Sequence, residues 1–310
     1  VSSPIGSITF DTDSLNSISK ESTDDLRITV AKIDSSTLSD EARQIVGDRA
    51  MYELSVISGA KKIHNFNGNV IVSVPYSLEE GEDANSIVIY YLNREGKPEI
   101  VTNSIFDAST GMVTFTTDHF STYAVGYNKV KFADVTETAW YFEAVNFISA
   151  RNITSGTDYK KFNPDAKLTR AHFLVMIMRA YGILPDENSD YNFSDVGNTY
   201  YTGYISAARR LGITNGAGNN MFEPDKEITR QEMAVLLYNT LKTINKIPQE
   251  TEKKQPAYFD DSNLVADWAK DAMSLFVGTG TINGSDNMLN PTSTATRSEM
   301  AQLLYNLLTN

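Results

Sequence analysis

The chain changes its hydrophobic period once. Up to about residue 128 apolar residues fall in short, partly alternating runs of strand length. These are Ile5–Phe10, Leu26–Ile33, Met51–Ile57, Val70–Val74, Ile87–Leu92, Glu99–Thr102, Ser104–Phe106, Met112–Thr116 and Thr122–Tyr127. Asn93-Arg-Glu-Gly96 and Asp107-Ala-Ser-Thr-Gly111 supply hairpin turns, and Ser39 caps one short helix predicted to Val46. The pattern predicts an all-β, sandwich-like domain over residues 1–128.

From residue 132 the period becomes helical and the sequence repeats three times. Each copy opens on Phe132-Ala-Asp134, Phe193-Ser-Asp195 or Phe259-Asp-Asp261, followed by an aromatic: Trp140, Tyr200-Tyr201 or Trp268. A first helix ends at Asn152, Gly212 or Gly280, residues suited to a left-handed cap. A polar turn follows, Thr154-Ser155-Gly156, Thr214-Asn215-Gly216 or Ile282-Asn283-Gly284, then Phe162-Asn-Pro164, Phe222-Glu-Pro224 or Leu289-Asn-Pro291. The second helix carries one apolar stripe: Phe173, Met176, Ile177, Ala180, and later Met233, Leu236, Leu237, Leu241 and Met300, Leu303, Leu304, Leu307. A two-helix unit cannot bury its stripe alone. The expected architecture is therefore an all-α domain of pseudo-threefold symmetry, with repeats over 129–190, 191–250 and 251–310 and second helices turned to a common axis. The polar connection Pro248–Pro256 is expected to be exposed and mobile.

Each second helix starts alike: Thr169-Arg170-Ala-His172, Thr229-Arg230-Gln-Glu232, Thr296-Arg297-Ser-Glu299. Thr-x-x-Glu is a capping box, in which hydroxyl and carboxylate satisfy each other's backbone amides; His172 breaks it in the first copy. The arginine stands where the helix dipole disfavours a cation. Its recurrence points to a purpose other than helix stability.

A net charge of −12 excludes a general nucleic-acid or anionic-membrane binder, though not an anion held in a local arginine pocket. The absence of cysteine excludes disulfides and thiolate sites, and no apolar run reaches the length of a membrane span. His64 has no second histidine near it in sequence, so no metal or cofactor is expected. Asp118-His119-Phe120-Ser121 holds triad residue types, but adjacent residues do not converge as a triad must, and a polar turn is the expected reading. The start at Val1-Ser-Ser-Pro4 reads as the edge of a fragment, continuous with an enzymatic or adhesive region on its N-terminal side.

Residues 130–310 resemble the S-layer homology (SLH) domain: the Phe-x-Asp start, the aromatic, the Gly turn and the Thr-Arg-x-Glu helix start appear in order, three times. Phe120–Gly126 resembles the end of the β-domains that precede such repeats in bacterial surface enzymes. The resemblance implies an extracellular, non-enzymatic anchor to a Gram-positive wall. Its partner would be secondary cell-wall polysaccharide carrying pyruvate ketals on N-acetylmannosamine, bound in grooves between repeats with the motif arginine on the acid group. A carboxylate suits Arg170, Arg230 and Arg297, which can meet it with two parallel bonds beside the free amides of a helix start. Gly156, Gly216 and Gly284 would let the amides of turns containing Ser155, Asn215 and Asn283 approach the sugar, and Trp140, Tyr200 or Tyr201, and Trp268 would stack on it.

Each residue also has a structural reading. The arginines would pair with Asp134, Asp195 or Asp261 across repeat boundaries, the aromatics would pack, the glycines would serve the turn, and the aspartates would start helices or turns. The third repeat departs most, with Thr281 for isoleucine and Leu289 for phenylalanine, so the groove on its loop is expected to be the weakest. A self-assembling S-layer subunit, a direct peptidoglycan binder and a glycoside hydrolase are the competing functions; the last needs a framed carboxylate pair that the sequence does not display.

Overall fold

The computed structural model describes residues 1–158, 160–188, 190–249 and 258–309. The chain forms two compact units, Val1–Lys131 with Ser149–Asn152, and Phe132–Ile148 with Ile153–Asn310. Most of the Pro248–Pro256 connection lies outside the described residues.

The first unit is two antiparallel sheets. One runs β1 (Ser2–Ser3), β2 (Gly6–Phe10), β6 (Asn65–Pro75), β10 (Met112–His119), β9 (Ile105–Asp107). The other runs β3 (Leu26–Ile33), β4 (Met51–Ser58), β11 (Thr122–Tyr127), β7 (Ile87–Leu92), β8 (Pro98–Val101), with β5 (Lys61–Ile63) on β4. Alternate residues of the facing strands, among them Ile8, Val72, Val113, Phe115, Val56, Ile89 and Tyr123, close a shared core. The Tyr123 hydroxyl donates back to the His119 carbonyl at 2.9 Å, a tyrosine corner that fixes the turn into β11.

This unit is sandwich-like but not all-β. α2 (Asp40–Val46), which the sequence predicts, lays Ala42 and Val46 against Met51, Val88 and Ala124. α1 (Thr12–Glu21) is not legible from periodicity, because its buried face is Ser14, Ser17 and Ile18. What starts it is Asp11, whose carboxylate accepts from the Ser14 and Asn69 amides at 2.7 Å each.

The second unit holds three helix pairs: α3 (Phe142–Ala150) and α4 (Arg170–Ala180), α5 (Thr202–Arg210) and α6 (Arg230–Thr243), α7 (Lys270–Gly278) and α8 (Arg297–Thr309). The expectation of an all-α region is overturned here. Antiparallel bridges join Lys167 to Thr296, Thr169 to Glu227 and Thr229 to Thr294, and further bridges close the turn of each repeat at Asp158–Lys161, Gly218–Met221 and Ser285–Met288. The cause is the proline-led segment before each Thr cap. It is held extended, so its backbone groups need partners outside a helix, and they find them in the same segment of another repeat. The Leu168 amide donates to the Ala295 carbonyl at 3.0 Å, that of Ala295 to Ile228 at 3.1 Å, and that of Ile228 back to Leu168 at 2.9 Å. The cycle is closed.

The stripe on α4 is also wider than its spacing suggests. Phe173, Leu174, Val175, Met176, Ile177, Met178 and Ala180 are all buried, so the helix is packed nearly all round, against α5, α6 and α8.

Candidate functional site

The ring of extended segments sets the helix starts against their neighbours, and this decides what the motif residues do. The first two amides of α4, at Arg170 and Ala171, donate to the Lys226 and Pro224 carbonyls. Those of Arg230 and Gln231 go to Ser293 and Pro291, and those of Arg297 and Ser298 to Ala166 and Pro164. The Thr hydroxyls take the amides of His172, Glu232 and Glu299. The helix starts therefore offer no free amide at these positions to an anion, a correction to the expectation that they would.

Each arginine side chain crosses to another repeat. Nε of Arg170 donates to the Phe222 carbonyl at 3.0 Å, that of Arg230 to Leu289 at 2.9 Å, and that of Arg297 to Phe162 at 2.8 Å. Arg170 and Arg297 lie over the Phe222 and Phe162 rings, 5.1 and 4.7 Å from their centroids. The carboxylate partners are not the aspartates. Arg170 pairs with Glu232 at 3.4 Å and Arg230 with Glu299 at 2.8 Å, in each case the capping-box glutamate of the next repeat. In Glu232 burial acts to raise the carboxyl pKa, but bonds from Thr229 and the charges of Lys226 and Arg170 outweigh it and hold it below the ordinary value.

Around Arg297 the glutamate is missing, because its counterpart in the first repeat is His172. Arg297 is 5% exposed, its Nη2 donates to the Thr154 hydroxyl at 3.1 Å, and it has no ion-pair partner among the described residues. Burial first, and then the Arg297 guanidinium, hold the His172 pKa below the usual imidazole range, against the Asp225 carboxylate.

The aspartates are clamps. Asp134 accepts from the Phe162 and Asn163 amides, Asp195 from Phe222 and Glu223, Asp261 from Leu289 and Asn290, all at 2.7–2.8 Å. The second residue of each pair is left-handed, with φ of 55°, 58° and 52°, so the carboxylate braces a costly backbone state. It also shapes the loop whose carbonyl seats an arginine. Gly156, Gly216 and Gly284 are left-handed too, and a Cβ on them would collide with the rings of Phe132, Phe193 and Phe259 and with the carbonyls of Lys161, Met221 and Met288. Gly156 and Gly216 donate their amides to the Thr154 and Thr214 hydroxyls at 3.4 and 3.1 Å.

Trp140, Tyr200 and Trp268 stand 62%, 55% and 58% exposed, unusual for large rings. Tyr201 packs against the apolar cluster of Phe193, Ile205 and Phe222, which leaves Tyr200 as the counterpart of the tryptophans. Trp140 and Tyr200 each line a cavity. One, of about 420 Å³, is lined by Thr154, Ser155, Gly156, His172, Arg179, Tyr200 and Arg297 among others. The other, of about 790 Å³, is lined by Trp140, Arg230, Asn283, Gly284, Glu299, Gln302 and Asn306 among others. Each combines a Gly turn and the helix start after it, the arginine of one neighbouring repeat and the aromatic of the other. The groove on the third repeat's altered loop, expected to be the weakest, has the larger of these two cavities. Asn215 and Trp268 line neither of them. Arg179, Gln302 and Asn306 were missed by sequence reading. Their signal was register, since Gln302 lies one turn, and Arg179 and Asn306 two turns, along the helix from the N3 residue, on its face.

In the first unit, His119 Nδ1 lies 2.8 Å from the Asp118 carboxylate, and the Ser121 hydroxyl donates to the Leu92 carbonyl at 3.4 Å. Among the described residues no group of acids and histidines is arranged to hold a metal ion, and no helix is long and apolar enough to cross a membrane.

The S-layer homology domain profile matches this chain at residues 131–174, 192–234 and 258–301. The chain is 30% identical over 252 residues to an amylopullulanase of Thermoanaerobacterium thermosulfurigenes, covering 79% of this chain and 13% of that one. It is 32% identical over 181 residues to the exoglucanase XynX of Acetivibrio thermocellus, 58% of this chain and 16% of that one. To the S-layer protein sap of Bacillus anthracis it is 29% identical over 173 residues, 56% and 20%. The chain thus spans a fifth or less of the length of these three relatives.

Proposed function

From the premise that residues 131–301 are a triplet of S-layer homology domains, an anchoring module of the bacterial cell surface, we propose that the module binds secondary cell-wall polysaccharide in the grooves between its repeats. The make-up of the two cavities carries this reading. A sugar has an apolar face and a rim of hydroxyls. An exposed ring (Trp140 or Tyr200) suits the first, and side chains such as Asn283, Gln302, Ser155 and Thr154 suit the second. A pyruvate ketal on N-acetylmannosamine supplies a carboxylate of the kind a guanidinium meets with paired, charge-assisted bonds. On this reading the chain binds and does not catalyse. The β-rich unit is a spacer, and any enzymatic or adhesive activity belongs to other parts of the protein.

The test is co-sedimentation of the chain with sacculi, native or stripped of secondary polymer by acid. Pelleting with native sacculi alone is the expected result. Equal pelleting with both would refute polysaccharide binding and point to peptidoglycan.

A further inference from the structure

The three arginines share a sequence position but not a charge environment. Arg170 and Arg230 each face a glutamate, so an incoming anion meets a guanidinium already paired and a carboxylate beside it. The cavity at Arg230 is balanced, with Asp165 and Glu299 against Lys167 and Arg230. Among the described residues no acid lines the cavity at Arg297; Arg297 and Arg179 line it, and His172 stands in the glutamate position. A guanidinium buried this deeply is costly without a counter-charge. Its Nε and Nη2 are engaged by a carbonyl and a hydroxyl, and neither acceptor is charged.

We propose that the grooves are divided by chemistry: the Arg297 cavity takes the acid-bearing sugar, the Arg230 cavity takes a neutral sugar rich in hydroxyl and amide groups, and His172 makes the difference. This rests on the reading that the grooves hold wall polysaccharide. The larger cavity matches its half of the division, since Asn283, Asn290, Gln302 and Asn306 offer amides that both donate and accept. In the smaller cavity Tyr200 lies over the His172 ring, 6.0 Å between centroids and 22° between planes, and leaves a ring face beside the cations.

A pH dependence follows. The charged and titratable groups around His172 are Arg297 of α8, Arg179 of α4, Tyr200 ahead of α5 and Asp225 ahead of α6, with Asp134 acting on Arg297. A bound carboxylate offsets the Arg297 charge that opposes protonation of His172, so binding draws in a proton. Affinity for the acid sugar therefore rises as pH falls through the imidazole range.

The test is calorimetry on the 310-residue chain with methyl N-acetylmannosaminide carrying a 4,6-carboxyethylidene ketal, with its unketalated parent, and with inorganic phosphate. The wild type should bind one ketalated sugar. His172→Glu supplies Arg297 with the partner the other repeats have, and should weaken that binding roughly 10- to 100-fold, the range of lost charge-assisted bonds. The same change completes the capping box and should raise Tm, which separates lost binding from misfolding. Glu299→Gln, which can still cap, should add a second acid-sugar site, and His172→Gln should flatten the pH dependence. Unchanged binding in His172→Glu, two or three acid-sugar sites in the wild type, or phosphate binding as tight as the ketal would each overturn the division. If the wild type needs the polymer on sacculi while His172→Glu keeps the acid sugar, the division alone fails. If it pellets equally with stripped sacculi, the polysaccharide reading itself fails.

Discussion

Asp261 is the place to test whether the repeat aspartates are clamps rather than ligands. It is 4% exposed, and its two oxygens accept from the Leu289 and Asn290 amides at 2.8 and 2.7 Å. Each hydrogen bond to an ionised partner contributes about 1.5–3 kcal/mol, so Asp261→Ala should cost about 3–6 kcal/mol. Asp261→Asn keeps one acceptor oxygen and should cost about half as much. Asp134→Ala removes the same pair of bonds from a half-buried site, where water replaces part of what is lost, and should cost less. The assay is urea unfolding followed by tryptophan fluorescence. The chain's two tryptophans, Trp140 and Trp268, both lie in the repeat unit, so the signal does not report the β-rich unit. Because the Leu289 carbonyl seats Arg230, Asp261→Asn should also disturb the Arg230 groove before the Arg297 groove. An Asp261→Ala protein within about 0.5 kcal/mol of wild type, the scale of an ordinary surface change, would refute the clamp.

Other consequences are as definite. Gly216→Ala forces a side chain into a left-handed residue against the Phe193 ring and the Met221 carbonyl and should cost about 2–5 kcal/mol, whereas Gly212→Ala, left-handed with open space around it, should cost only about 1–2 kcal/mol in the same fluorescence assay. Burial and the Arg297 charge make His172 harder to protonate folded than unfolded, so the repeat unit should lose stability as pH falls through the ordinary imidazole range, and His172→Gln should remove that part of the loss. In the β-rich unit Glu82 accepts from Arg49 at 2.7 Å and from the Tyr76 hydroxyl at 2.6 Å. Although burial opposes it, these bonds hold Glu82 below its ordinary pKa, so their stability is present at neutral pH and lost as pH falls through the folded-state value; Glu82→Gln should flatten an acid titration read by near-ultraviolet circular dichroism. Tyr76, pushed up to about 12 chiefly by burial and then by Glu82, should make the same unit lose stability as pH climbs from about 10, where the unfolded phenol ionises, toward 12.

What the sequence made legible was local. The strands Leu26–Ile33, Ile87–Leu92 and Thr122–Tyr127 stand where the apolar runs put them, Thr169 caps its helix, and Thr229 does so with the full box that Thr-x-x-Glu implies. What escaped was decided by partners remote in sequence. The bridges that overturn an all-α second unit join residues of different repeats, and α1 depends on an Asp11–Asn69 bond that no helical period announces. The arginines show the same limit most sharply. A cation at the first helical position reads as a conflict with the dipole only while its own helix is considered. Across the repeat boundary it meets the next copy's cap glutamate, so one glutamate both closes its own helix start and neutralises a neighbour's arginine. A change at that position must then act in two places. In the first repeat, His172 leaves α4 without the return half of its box, and at the far end of the chain it leaves Arg297 buried with no ion-pair partner among the described residues. The local loss is visible in the sequence, while the remote consequence depends on the closed ring. That is why a weakened cap, which alone would mark a poorer repeat, marks under the proposed division the groove for the acid-bearing sugar.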